Sequence, residues 1–278
     1  MSIKIVVDSA SDLPEELAME NGITTIPLYI HAGEKTFRDG IDLTRQEFYQ
    51  HLPEFQPAPT TAAPGPEVFR QVYERLAREG ATEILSIHIS IKLSSLLESA
   101  RQAAAASTVP VTVVDSQQLS MGIGFLAVTA AKAAARGSSM AEILSLLNEK
   151  MGRTHVFAAL DTLEYLKRSG RMSSAASLLG NLLQIKPMLW MHCGSPTTEK
   201  VRTRRRAIER LVAILQSLGP LEEVALLHAN AAERAEALLQ EARRLLPGLS
   251  IIRSEISPVL GAHIGPGVIG FACVTRPS

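Results

Sequence analysis

Aromatic residues are scarce in this chain, only 4% of its 278 residues. Any sizeable core must therefore be aliphatic, built from Leu, Ile, Val and Ala, and there is little to stack on nucleic-acid bases. Cysteine is scarcer still: Cys193 and Cys273 lie far apart and match no metal-ligand spacing. Cys273 sits in an apolar run and reads as a small core residue, and so sparing a use of cysteine fits a reducing compartment. Net charge is absent, with 28 Lys and Arg against 28 Asp and Glu. No global field attracts nucleic acid or anionic membrane, so electrostatic recognition has to come from a local patch. Long apolar runs are absent as well. The first, at residues 3–7, reaches Asp8 too soon for a secretory signal. The most apolar, at residues 119–131, stops at Lys132, too short to span a bilayer, and reads as a buried helix. These readings place the chain in the cytosol. There is no P-loop, no GxSxG elbow, no HExxH and no CxxC, and the scattered Asp8, Asp12, Asp39, Asp42 and Asp115 show no metal spacing. Neither a metal nor a cofactor is expected.

What is present has a globular balance, 46% hydrophobic and 20% charged. The β-branched run at residues 3–7 predicts a strand buried on both faces, followed by N-cap residues and Pro14 in a strand-to-helix turn. Strand patterns at 23–30, 83–88 and 111–114 alternate with helical patterns at 42–52, 66–78, 93–107, 119–136 and 138–151. Residues 53–66, with five prolines, read as loop. The rhythm changes near Gly152. Strands are expected at 155–160, 185–192, 223–228, 249–256 and 268–275, a turn at 194–196, and helices at 162–167, 174–183, 204–218 and 231–246. The expected fold is α/β with two domains: residues 1–152 around a largely parallel sheet with flanking helices, and 153–278 around a mixed sheet. A ligand would favour the interface between them.

Five segments could carry chemistry. Thr60 and Thr61 present hydroxyls from a proline-stiffened loop, though on spacing alone this is as readily a surface turn. Ser90-Ile91-Lys92-Leu93-Ser94-Ser95 opens a helix after a strand, where free N–H groups and a partial positive charge suit an anion, or where serine merely caps. Gly261-Ala262-His263-Ile264-Gly265-Pro266-Gly267 holds one imidazole in a glycine-rich frame. The segment 161–171, beginning Asp161-Thr162-Leu163-Glu164, reads as a short capped helix whose charges form a solvated face. Finally, Lys200, Arg202, Arg204, Arg205 and Arg206 make a local cationic patch in a neutral protein, at a helix start whose dipole opposes them.

In order along the chain, Asp8-Ser9-Ala10-Ser11-Asp12-Leu13-Pro14, Thr60-Thr61, Leu93-Ser94-Ser95, Asp161-Thr162-Leu163-Glu164-Tyr165-Leu166 with Gly170-Arg171, Ile185-Lys186-Pro187, and His263 with Gly265-Pro266-Gly267 resemble the DegV family of bacterial fatty-acid-binding proteins. The likeness spans residues 3 to 274. It implies two α/β domains with a long-chain fatty acid between them, presented to a separate kinase that makes an acyl phosphate for phospholipid synthesis. By that resemblance Thr60, Thr61, Ser94, the N–H of Ser95, His263 and Gly265 form the head-group site. Residues 175–183 would help line the acyl tunnel. Ser95 stands where relatives commonly have glycine, and Ala62-Ala63 replace a more polar pair.

Burying about fourteen methylenes at ~0.8 kcal/mol each contributes on the order of 11 kcal/mol before ordering costs, so the chain would drive affinity and the carboxylate specificity. Lys200, Arg202, Arg204 and Arg205 are expected to dock an acidic surface of the kinase. Two other readings remain open: a lipid esterase or acyltransferase with Ser94 as nucleophile and His263 as base, and nucleic-acid binding by the arginine cluster, which zero net charge disfavours.

Overall fold

The computed structural model describes residues 2–171 and 185–277. The expected helix at 174–183 lies outside the described residues. The first half begins with β1 (Ile3–Asp8), α1 (Glu15–Glu20), β2 (Ile23–Ile26), β3 (Tyr29–Ala32), β4 (Lys35–Arg38), α2 (Arg45–His51), β5 (Thr60–Ala62) and α3 (Pro66–Arg78). It continues through β6 (Glu83–His88), α4 (Leu96–Ala105), β7 (Val111–Asp115), α5 (Met121–Ala135) and α6 (Met140–Arg153). Strands β2, β1, β6 and β7 form a parallel sheet in that order. The β-branched run of β1 lies at its centre, buried on both faces as its composition predicts.

The second half contains β8 (Thr154–Ala159), α7 (Glu164–Arg168), β9 (Lys186–His192), β10 (Ser195–Val201), α8 (Arg204–Ser217), β11 (Leu221–His228), α9 (Ala232–Leu245), β12 (Ile251–Glu255), α10 (Pro258–Ile264) and β13 (Ile269–Thr275). Its six strands run β10-β9-β8-β13-β11-β12, antiparallel except for the β11–β12 pair. The expected α/β class, with one parallel and one mixed sheet, is the observed one.

Three features depart from the sequence reading. The strand region 23–30 divides between two sheets, because β3 leaves the parallel sheet to pair with β4 and β5 in a small antiparallel one. The proline-rich stretch contains β5: prolines flank Thr60–Ala62 without occupying it, so its backbone stays free to pair. The turn at 194–196 is the tip of a hairpin, with β10 running back along β9 to Val201.

Helix α5 joins the two halves. Most of its residues are buried, because it packs on β1 and β6 on one side and on β8, β11 and β13 on the other. Gly122 permits the approach; a Cβ there would stand 2.9 Å from Val156 Cγ2. Strand β13 divides its side chains accordingly. Ala272 and Val274 face the core shared with α5, whereas Phe271 and Cys273 face the core under α8 and α9. No described helix is long and apolar enough to cross a membrane.

Gly270, in β13, is the tightest point of the second sheet: an added Cβ would overlap the Phe157 carbonyl oxygen and Ala158. Gly270→Ala is expected to cost about 1–3 kcal/mol by overpacking, read as a lower midpoint in urea with an unchanged slope.

Candidate functional site

A cavity of about 160 Å³ opens between the two sheets. A single water needs about 10–15 Å³ in the same measure, so this space is large enough for an organic ligand. Its walls are overwhelmingly apolar: Leu28, Ile89 and Leu93 come from the first half, and Leu189, Trp190 and Leu260 from the second. Residues 156–158 of β8 and 189–191 of β9 contribute to it, a wall that no motif in the sequence marked.

At this cavity three of the expected residues meet. Thr61 and Thr60 are neighbours on β5, so their side chains leave opposite faces: Thr61 lines the cavity and Thr60 is exposed. His263 sits in the last turn of α10, and its Nε2 lies 2.8 Å from Thr61 Oγ1. Ser94 lines the same cavity just before α4, its hydroxyl accepting the Leu96 N–H at 3.2 Å and keeping its own proton to donate. Ser94 therefore both caps and faces the cavity; the two readings of this serine are not exclusive.

Ser95 is the N-cap of α4 with φ −82° and ψ 6°, a turn conformation open to any L residue, so serine there carries no backbone strain. Ala62 ends β5 and Ala63 packs on the core. Gly265, by contrast, has φ 75° and ψ 177°, a region essentially reserved for glycine. An added Cβ would overlap the Tyr165 ring, so Gly265 closes α10 against α7 and does not itself line the cavity.

Electrostatically the site is nearly silent. Burial, and secondarily the Arg171 charge, push the His263 imidazole down to about 4, so it is neutral at physiological pH. Its Nδ1 is buried with no partner among the described residues. Arg171 is the only lining residue with a permanent charge among those described. The sequence reading carried Arg171 as part of a motif without a role; its position after Gly170, where the chain turns back from α7, brings it to the wall.

Asp161 also has a part that the sequence reading missed. Far from forming a solvated face, it gathers Arg204 through two contacts of 3.1 Å, Arg234 at 3.3 Å and Lys186 at 3.4 Å. Burial raises its carboxyl, but the Arg204 hydrogen bond and the three positive charges outweigh that and hold it below the ordinary value. Of the cationic patch, then, Arg204 is spent on Asp161, and Arg205 pairs with Glu209 at 3.0 Å. Lys200, Arg202 and Arg206 are exposed and have no side-chain partner among the described residues.

The chain matches, over residues 2–276, a family model described as an uncharacterised protein, DegV family. It is 36% identical over 278 residues to a DegV domain-containing protein of Streptomyces coelicolor, covering 99% of both chains. A fatty-acid-binding DegV family protein from Thermus thermophilus superposes with a TM-score of 0.89 at 34% identity, over 99% of this chain and 100% of that one. DegV from Bacillus subtilis, a fatty acid binding protein, superposes with a TM-score of 0.91 at 32% identity and the same coverage. With the model and the relatives matched along nearly the whole chain, this protein belongs to the DegV family.

Proposed function

We propose that this chain, with residues 1–152 and 153–278 as its two units, holds one long-chain fatty acid between its sheets and presents the carboxylate to a partner kinase, performing no chemistry itself. The observation that carries the reading is the cavity: an apolar space whose hydrogen-bonding side chains include Thr61, Ser94 and His263, with a single permanent charge among the described residues, Arg171. Such a lining suits a long hydrocarbon ending in one anionic group. Solved relatives at 34% and 32% identity are fatty-acid-binding proteins.

In this reading the Ser94 hydroxyl and the Ser95 N–H donate to the carboxylate at the start of α4, where the helix dipole favours an anion. Thr61 donates to it as well, held in place by His263. Arg171 supplies the opposite charge. Thr60 and Gly265 act through the backbone, Thr60 by pairing β5 with β3 and Gly265 by closing α10 against α7.

The geometry disfavours a Ser94–His263 hydrolase. His263 spends Nε2 on Thr61, and its Nδ1 has no orienting carboxylate among the described residues. An imidazole that protonates only near pH 4 is also a poor base.

Native mass spectrometry with extraction of the bound lipid tests the main reading. One fatty acid per chain is expected, and Ser94→Ala or Thr61→Val should weaken palmitate binding about tenfold to a hundredfold, as befits a lost charge-assisted hydrogen bond. A protein that arrives empty and takes up no palmitate sinks it.

Kinase docking rests on the uncommitted cations. Lys200→Glu with Arg202→Glu should leave bound fatty acid unchanged while kinase-dependent acyl-phosphate formation falls at least about tenfold, by loss of charge complementarity. Unchanged turnover in that double variant removes the patch from the proposal.

A further inference from the structure

Helix α10 begins without a cap of its own. Its N-cap residue, Ser257, makes no capping hydrogen bond with its side chain. The Ser257 N–H is instead met by a carboxylate from the other half of the chain, donating to Asp12 Oδ1 at 2.8 Å, and a second carboxylate, Asp39, lies beside the Val259 N–H. Both carboxylates are buried, Asp12 wholly and Asp39 at 4% exposure.

Each is fixed from behind. Ser120 Oγ–H donates to Asp12 Oδ2 at 2.5 Å, and Ser254 Oγ–H to the Asp12 carbonyl at 2.5 Å. Ser9 Oγ–H donates to Asp39 at 2.6 Å while accepting the Leu28 N–H at 3.1 Å. Tyr49 OH donates to the Ile256 carbonyl at 3.0 Å, just ahead of the helix. Asp12 and Ser120 take φ of 49° and 51°, left-handed values that non-glycine residues hold only when their surroundings impose them. Ala10, Ser120, Ile256 and Val259, all within this network, line the cavity.

We propose that Asp12 and Asp39 are positioning residues for the head-group site: a clasp that caps α10 across the two halves and so sets where His263, at the other end of that helix, meets Thr61. This rests on the fatty-acid reading only for its consequence, ligand retention; the clasp itself belongs to the protein alone.

Burial of both carboxylates, and the Asp12 charge felt at Asp39, resist full ionisation. The charged and titratable groups around them are Arg45 and Tyr49 from α2 and Glu255 from β12, with His228 of β11 facing Glu255 and Arg45. Arg45 is the only cation of the set, and it does not offset burial: Asp12 is raised, and Asp39 is pushed up to about 7.

The sign follows from linkage. Asp39 binds its proton more tightly in the seated state than when α10 is open and the carboxyl returns to its ordinary value of 3.8. Its contribution to seating is therefore full below that value, falls by up to about tenfold per pH unit as pH rises towards about 7, and levels off above. His263 titrates on the same helix in the opposite sense, because its seated value lies below 6.5. In a comparison of wild type with Asp39→Asn the His263 contribution is common to both and drops out.

The experiment is amide hydrogen exchange of residues 257–264 in the ligand-free protein, wild type and Asp39→Asn, from pH 5 to 8 with intrinsic rates removed. The protection ratio, wild type over variant, should fall by up to about tenfold per pH unit to near pH 7 and then flatten. A ratio constant with pH overturns the clasp. A second variant reads the cap itself: Asp12→Ala, which removes the acceptor of the Ser257 N–H, should lower the protection of residues 257–264 about fivefold or more across this pH range, and unchanged protection in folded Asp12→Ala overturns the proposal. Palmitate dissociation, measured alongside, should follow the same ratio. A chain that binds no palmitate at any pH refutes the fatty-acid reading, while the exchange ratio still decides the clasp.

Discussion

Helix α5 has no polar face to offer water, and two sheets close on it. With alanine, glycine and aliphatic residues on nearly every side, it is stable only if β1 and β6 cover one flank while β8, β11 and β13 cover the other. That requirement brings the halves of the chain into one layered body without a linker, α6 ending at Arg153 and β8 beginning at Thr154. Apolar side chains of both halves line the cavity between the sheets.

The polar groups at that cavity depend on how the surrounding loops are tied down. Thr61 is carried by a three-residue strand whose pairing with β3 aims one threonine inward and the next outward. His263 is carried by a short helix that the rest of the chain holds at both ends: the Asp12 carboxylate and Tyr49 at its start, and Gly265 packed under Tyr165 at its finish. A seven-residue helix is marginal on its own, so these tertiary contacts are what make it a helix at all. Asp161 secures the adjoining loop, since a Cβ at Gly267 would overlap its carboxylate and Arg234.

Charge is used sparingly. Among the described residues the cavity keeps one cation at its wall, Arg171, and a neutral imidazole, His263, beside Thr61. The cationic patch divides by the same logic: Arg204 and Arg205 answer carboxylates of the fold, which leaves Lys200, Arg202 and Arg206 facing solvent.

By itself the sequence determined the class of fold and the order of its main elements. Continuous β-branched runs such as 3–7 and amphipathic periods such as 66–78 are local physics, and they needed no partner to be legible. The motifs at Thr61, Ser94 and His263 were legible too, as rigid loops and a helix start carrying polar groups. Tertiary structure alone decided which of them meet. Thr60 and Thr61 differ only by the alternation of a strand hidden among prolines, and Gly265 packs under Tyr165 while His263, two residues before it, reaches Thr61. Asp12 and Asp39 looked like scattered acids, and Asp161 like part of a solvated face, because their partners lie from 25 to 245 positions away. Cavity walls from β8 and β9 carry no signal either, since an apolar strand residue reads the same whether it faces a helix or an empty channel. Contacts between residues distant in sequence are set by how the layers pack, and no local period records that.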